Sequence, residues 1–102
     1  MKNGTIISVP KSEKENLFQV CDEHGIFWEG AEKTNSFEIT VKEKYFPIIE
    51  SLCNIRYAVK VVNRDNYARL TILNDNANIL RRPVGSEYII TPTGLKNIGT
   101  LQ

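Results

Sequence analysis

The sequence lacks any apolar run longer than a few residues, so it offers no segment long enough to cross a membrane as a helix. Its first stretch, MKNGTIISVPKSEKE, also lacks the apolar core and small-residue cleavage site of a signal peptide. We therefore expect neither secretion nor membrane insertion, and we expect the chain to work in the cytoplasm. With 102 residues, of which 41% are hydrophobic and 25% charged, it is predicted to fold as a single domain spanning residues 1–102.

Cysteine and histidine are scarce, which restricts the chemistry available to the chain. Cys21, Cys53 and His24 are its only thiols and imidazole, whereas a structural zinc site needs four such ligands. In a strand, Cys21 and Asp22 would point to opposite faces, which disfavours a preassembled Cys–His pair. We expect buried, reduced thiols rather than a disulfide, and we expect no metal and no other cofactor.

Catalytic motifs are missing as well. Gly25 and Gly30 are separated by IFWE and form no phosphate-binding loop, and the terminal TPTGLKNIG lacks the required strand-glycine-helix context. Adjacent carboxylates such as Asp22 and Glu23 lie in polar segments that would not desolvate them and raise a pKa for acid-base work. We therefore predict that the protein is not an enzyme.

Charge is divided unevenly along the chain, although the formal net charge is only +1. Residues 1–43 contain five lysines and eight acidic residues, a net charge of −3, whereas residues 44–102 contain eight basic and four acidic residues, a net charge of +4. All five arginines lie in the second part. Such a split favours an anionic partner, although solvated strand faces also carry lysine and arginine without one.

Hydrophobic periodicity predicts an α+β domain, mainly an antiparallel β sheet or barrel, with one amphipathic helix at about residues 44–53. GTIISV is predicted to be a strand, NLFQVC and GIFWEG a hairpin, and FEITV a further strand. The helix is indicated by an apolar stripe at i, i+3, i+4, i+7 and i+8: Tyr45, Ile48, Ile49, Leu52 and Cys53. Pro47 is tolerable only in its first turn.

The segment RYAVKVVNRDNYARLTIL, residues 56–73, could form either a hairpin or a helix-turn-helix, and its alternation favours the hairpin. With a four-residue loop at residues 63–66, Val61 would face Ala68 and one face would be apolar. The other face would pair Lys60 with Arg69. Wound as a helix, the second arm spreads its apolar residues around most of the circumference. The complete predicted core is Ile6, Val20, Trp28, Ile39, Ile48, Ile49, Leu52, Val59, Val61, Leu70, Ile72 and Ile89.

A second hairpin is predicted around PVGS, with Arg82 opposite Glu87. Over about residues 77–97, ILRRPVGSEYIITPTGLKNI resembles the wing of winged-helix transcription regulators, in which two strands and a polar turn lead into a helix. The resemblance implies that Arg81 and Arg82 contact phosphates, and it makes N-terminal strands followed by a winged-helix C-terminal half the alternative fold. The segment before the wing prefers strands, which removes the family's recognition helix.

The predicted order of three strands, a helix and two strands also resembles that of an OB-fold. This resemblance implies binding of a single strand by a basic groove with aromatic stacking platforms, for which the candidates are Phe18, Phe27, Trp28 and Phe37. The simpler explanation of these aromatic residues is that they form core.

The sequence therefore favours a small, non-enzymatic binding or regulatory module that binds nucleic acid or another polyanion through its basic C-terminal half. The predicted binding residues gather at the two hairpins and are Lys60, Arg64, Arg69, Arg81 and Arg82. The alternative is a protein-interaction or inhibitor module that acts through a sheet edge or the acidic N-terminal half. The sequence leaves open the oligomeric state and the choice between single- and double-stranded nucleic acid.

Overall fold

The computed structural model describes residues 3–64 and 67–99, which form an α+β fold on one open, seven-stranded antiparallel sheet. The strands are β1 (Gly4–Pro10), β2 (Glu29–Glu32), β3 (Ser36–Val41), β4 (Tyr57–Asn63), β5 (Ala68–Asn74), β6 (Glu87–Thr91) and β7 (Gly94–Gly99). The helices are α1 (Lys14–Glu23) and α2 (Phe46–Leu52), preceded by 3-10 turns at Lys11–Glu13 and Glu43–Tyr45. The spatial order is β2-β3-β1-β4-β5-β6-β7, so β2 and β7 are the edges. The predicted α+β class is confirmed, as an open sheet rather than a barrel.

The predicted hairpin of NLFQVC and GIFWEG is wrong, because its first arm is helix α1. Leu17, Val20 and Cys21 recur at i, i+3 and i+4 and are all buried, as expected for the inner face of a helix. The helix ends in a Schellman motif, in which the Ile26 N–H donates to the Cys21 carbonyl at 2.8 Å and Gly25 takes a φ of +62°. Because α1 already follows β1, the predicted OB-like element order is wrong too.

The predicted helix at residues 44–53 is confirmed as α2 and the 3-10 turn before it. Pro47 lies in the first turn, where its missing N–H removes no intrahelical hydrogen bond. Ile49 is fully buried, but Leu52 is 49% exposed, so its predicted place in the core is wrong. Leu52 is the last residue of a seven-residue helix and lies at the margin of the apolar stripe. Because the helix ends there, no further turn shields its side chain from solvent.

Residues 56–73 form the predicted hairpin, β4–β5, in a register two residues away from the predicted one. Val61 pairs with Leu70 instead of Ala68. A shift of two residues preserves the alternation of side chains, so each apolar residue keeps its predicted face. The helix-turn-helix alternative is therefore excluded, while residues 65–66 of the predicted loop lie outside the described residues.

The predicted hairpin around PVGS is wrong, because residues 75–86 form a long connection without strands. The connection folds around Asp75, whose carboxylate accepts hydrogen bonds from the backbone N–H groups of Ile79, Leu80 and Arg81 at 2.9, 3.2 and 2.9 Å. These bonds hold Arg81 at a φ of +56°, a conformation unfavourable for a side-chain-bearing residue.

The hairpin of this region lies further along the chain, between β6 and β7. Pro92 and Thr93 form its two-residue loop, and Ile89 pairs with Lys96. The expected helix start after the wing-like segment is therefore wrong, since the segment continues as β7. Within the described residues no helix follows α2, which excludes the winged-helix alternative.

Apolar side chains pack on both faces of the sheet. The helix-bearing face, covered by α1 and α2, buries Ile7, Val9, Phe37, Ile39, Val41 and Ala58. The opposite face, here called the loop-bearing face because Leu80 packs on it, buries Val59, Val61, Ile72 and Tyr88. Of the predicted core, the buried residues are Val20, Ile39, Ile49, Val59, Val61 and Ile72. The half-buried ones are Ile6, Trp28, Ile48, Leu70 and Ile89.

Candidate nucleic-acid interface

Strand register places three cationic residues on the helix-bearing face of β4–β7. Val62, Arg69, Ile89 and Lys96 are successive Cα partners across these four strands. Lys60 precedes Val62 by two residues in β4 and therefore shares its face. We call Lys60, Arg69 and Lys96 the cationic strip. The shared face of Lys60 and Arg69 was predicted from the sequence, whereas Lys96 was missed because its strand was interpreted as the start of a helix.

Two acidic side chains accompany the cationic strip. Lys60 Nζ lies 3.0 Å from Glu43 Oε2, and Arg69 Nη1 lies 3.9 Å from Glu87 Oε1. The predicted pair between Glu87 and Arg82 is therefore replaced by a pair with Arg69. Arg69 Nε, in addition, is buried and has no hydrogen-bond partner among the described residues. Exposed ion pairs contribute about 0–1 kcal/mol, so an anionic ligand can displace these carboxylates at small cost.

The other three predicted cationic residues occupy two further places. Arg64 is exposed just after β4, where its N–H donates to the Tyr67 carbonyl at 2.8 Å. Arg81 and Arg82 lie in the connection of residues 75–86, and the Arg82 guanidinium is 4.7 Å from the centre of the Tyr88 ring. Because Tyr88 is buried on the loop-bearing face, Arg82 lies across the sheet from the cationic strip. The structure thus brings Lys60 and Arg69 of the first hairpin onto one face, leaves Arg64 at the end of β4, and separates Arg81 and Arg82 from them.

Three of the four predicted stacking platforms are packed against one another. Phe18 stacks on Trp28 with ring centres 5.1 Å apart, and Phe37 meets both rings edge-on at 5.3 and 5.7 Å. These aromatic residues therefore serve the core, as the simpler explanation holds. Phe27 differs from them, because 87% of its side chain is exposed.

Phe27 forms part of the wall of a groove of about 450 Å³ at the ends of β1, β3 and β4. Its mostly apolar walls include Trp28, Val41, Tyr45 and Val62. Lys60 also lines it, so the groove adjoins the cationic strip. Its volume falls in the range of small-molecule sites, but its described lining residues include no paired nucleophile and base.

The thiols and the imidazole do not form a reactive site. Both cysteines are free and buried. Burial raises the pKa of Cys21, and burial, with the Glu13 carboxylate and Cys21 nearby, raises the pKa of Cys53 from 9.0 to about 11. At neutral pH both stay protonated and are poor nucleophiles. His24 Nδ1 lies 3.0 Å from the Val20 carbonyl oxygen, so the ring is engaged by the main chain of α1.

The raised pKa of Cys53 predicts a loss of stability in alkali. The folded protein holds the thiol proton up to about pH 11, whereas the unfolded chain releases it from about pH 9. The stabilising contribution is thus complete below pH 9 and disappears as the pH rises through about 11. We expect the stability advantage of the wild type over Cys53→Ala to shrink across this interval, as measured by urea unfolding under reducing conditions. A constant difference would contradict the assignment.

In residues 3–64 and 67–99, no three histidine, cysteine or carboxylate side chains come together as metal ligands would. Neither described helix has the length and apolar content required to span a membrane. Comparison of the chain with protein-family models, curated proteins and solved structures found no match.

Proposed function

We propose that the protein is a non-catalytic module that binds nucleic-acid phosphates on the helix-bearing face of β4–β7. The observation that carries the proposal is the common face of Lys60, Arg69 and Lys96, with Arg64 at the end of β4. Neighbouring strands are about 4.8 Å apart, so Arg69 and Lys96, two strands from each other, are separated by roughly 10 Å. This spacing allows each cation to contact a different phosphate.

Binding of this kind is expected to be insensitive to base sequence. The cationic strip offers donors for phosphate oxygens, and no helix of the described residues is free to enter a major groove, since α1 and α2 pack on the sheet. The Glu43 and Glu87 carboxylates are displaced by phosphates, which carry a full charge at neutral pH.

Removal of one strip cation should weaken binding equally for oligonucleotides of different sequence. For Arg69→Ala and for Lys96→Ala we expect the slope of log K against log salt to fall by about 0.7 for a single strand and about 0.9 for a duplex. The measurement is fluorescence anisotropy of labelled single-stranded and duplex DNA at several salt concentrations. Lys33→Ala, which removes an exposed lysine in the turn between β2 and β3, is the matched control.

Arg81→Ala, on the 75–86 connection, should keep the affinity and salt slope of the Lys33→Ala control, because that connection packs on the loop-bearing face. Absence of binding by the folded wild type, or identical salt slopes for all variants, would overturn the proposal.

Neutralising Glu87 should strengthen binding. Glu87→Gln removes the carboxylate that Arg69 now faces at 3.9 Å and leaves a side chain of similar size. We expect a severalfold higher affinity at low salt, with Glu15→Gln on α1 as the control for the same change in net charge. Equal gains in affinity for Glu87→Gln and Glu15→Gln would show that only the net charge affects binding and that no phosphate is bound at Arg69.

Protein interaction through a sheet edge is a second candidate. Edge strand β7 pairs only with β6, and both of its large apolar residues, Leu95 and Ile98, are exposed. Such an edge can pair with an extended segment of another protein. Binding through this edge would depend little on salt and would be lost in a Leu95→Ala or an Asn97→Pro variant, while charge removal from the cationic strip would have no effect.

A further inference from the structure

Phe27 is an exposed aromatic side chain held in place by its two neighbours. After the Schellman turn at the end of α1, Ile26 packs in the core, and two residues later Trp28 stacks on Phe18. Because side chains alternate along an extended chain, Phe27 between them points outward. Burial of such a side chain removes a large apolar area from water and therefore favours association. A large aromatic residue fixed in this way is a typical anchor of a protein interface.

The groove beside Phe27 matches this anchor in size and character. Its volume of about 450 Å³ is sufficient for an aromatic side chain, and Trp28, Tyr45 and Val62 offer apolar contacts inside it. The charged residues that line it are two of each sign, Glu29, Lys42, Glu43 and Lys60. The groove therefore has no net charge, so a second copy of the same surface would meet no net repulsion.

An anchor and a fitting groove adjacent on one surface are the arrangement required at a two-fold interface, where each copy offers both halves of the contact. We propose that two copies of this chain associate about a two-fold axis, each inserting Phe27 into the groove of the other. This contact requires no nucleic acid, and it shares one residue with the cationic strip, since Lys60 lines the groove.

Sedimentation of the full chain without nucleic acid tests the proposal. The wild type is expected to change from monomer to dimer as its concentration rises towards about 1 mM, and Phe27→Ala should raise the dissociation constant at least about tenfold. Val84→Ala is the matched control, because Val84 is an apolar residue 58% exposed and located outside the groove. It should associate like the wild type.

Trp28 supplies a second readout, because it is the only tryptophan of the chain and lines the groove. Its emission should shift to shorter wavelength as the wild type associates, and should stay constant in Phe27→Ala at the same concentrations. A wild type that remains monomeric throughout, or a Phe27→Ala variant that dimerises as well as the wild type, would overturn the proposal. A wild type that stays monomeric throughout but still binds oligonucleotides would overturn this proposal and leave the proposed function intact.

Discussion

Replacing Ile49 with alanine is expected to lower the free energy of unfolding by about 2–5 kcal/mol, because the deletion leaves a cavity between α2 and the sheet. Ile49 has 0% exposure and belongs to the cluster that α1 and α2 form with β1, β3 and β4. Urea unfolding followed by circular dichroism measures the change.

Leu52→Ala is the control for Ile49→Ala, since both residues belong to α2 and both lie on the apolar stripe of the sequence. About half of Leu52 is solvent-exposed, so its truncation should cost less than about 1 kcal/mol. Equal losses of unfolding free energy in the two variants would mean that α2 is rotated about its axis and turns a different side towards the sheet.

Leu17→Ala should also destabilise the protein by about 2–5 kcal/mol, because Leu17 is fully buried between α1 and the sheet. Its control is Gln19→Ala, an exposed position of the same helix at which alanine also favours helix formation. A small loss of stability in Leu17→Ala together with a large one in Gln19→Ala would contradict the helical assignment. Such a result would mean that the opposite side of this segment faces the core.

Helix α2 and the β4–β5 hairpin were predictable because local pattern and tertiary packing agree there. Five apolar positions with helical spacing and a proline tolerated only in the first turn specify α2. In the hairpin, strict alternation fixes the faces, but the two-residue difference in register leaves this alternation unchanged. The sequence pattern therefore determined the faces but could not determine the pairing.

Helix α1 was missed because its inward stripe has only three residues, and because Phe18 and Val20 are residue types that favour strands. The available signal was Gly25 followed by the apolar Ile26, which is the sequence pattern of a Schellman end. Strand β7 was missed for a different reason. Pro92 and a following glycine resemble a helix start, and only pairing with β6 shows that they belong to a two-residue hairpin loop.

The site was predictable only in part, because it depends on which face each cation occupies. Alternation along one hairpin placed Lys60 and Arg69 together, but Lys96 joins them only through two further strands. Arg82 was assigned to the same function, yet the connection that wraps the Asp75 carboxylate places its guanidinium on the other face. Long-range packing of this kind leaves no periodic signal in the sequence.

The most direct test of phosphate binding on the cationic strip is to follow the side-chain Nε–Hε signals of the five arginines by NMR during titration with a single-stranded oligonucleotide. The Arg69 guanidinium faces the Glu87 carboxylate at 3.9 Å, and its buried Nε has no partner among the described residues. Displacement of this carboxylate by a phosphate should therefore move the Arg69 signal early and strongly, followed by that of Arg64. The Arg82 signal should stay in place, because its guanidinium lies on Tyr88 across the sheet. Movement of the Arg82 signal with a stationary Arg69 signal, or no movement at all, would contradict binding on this face.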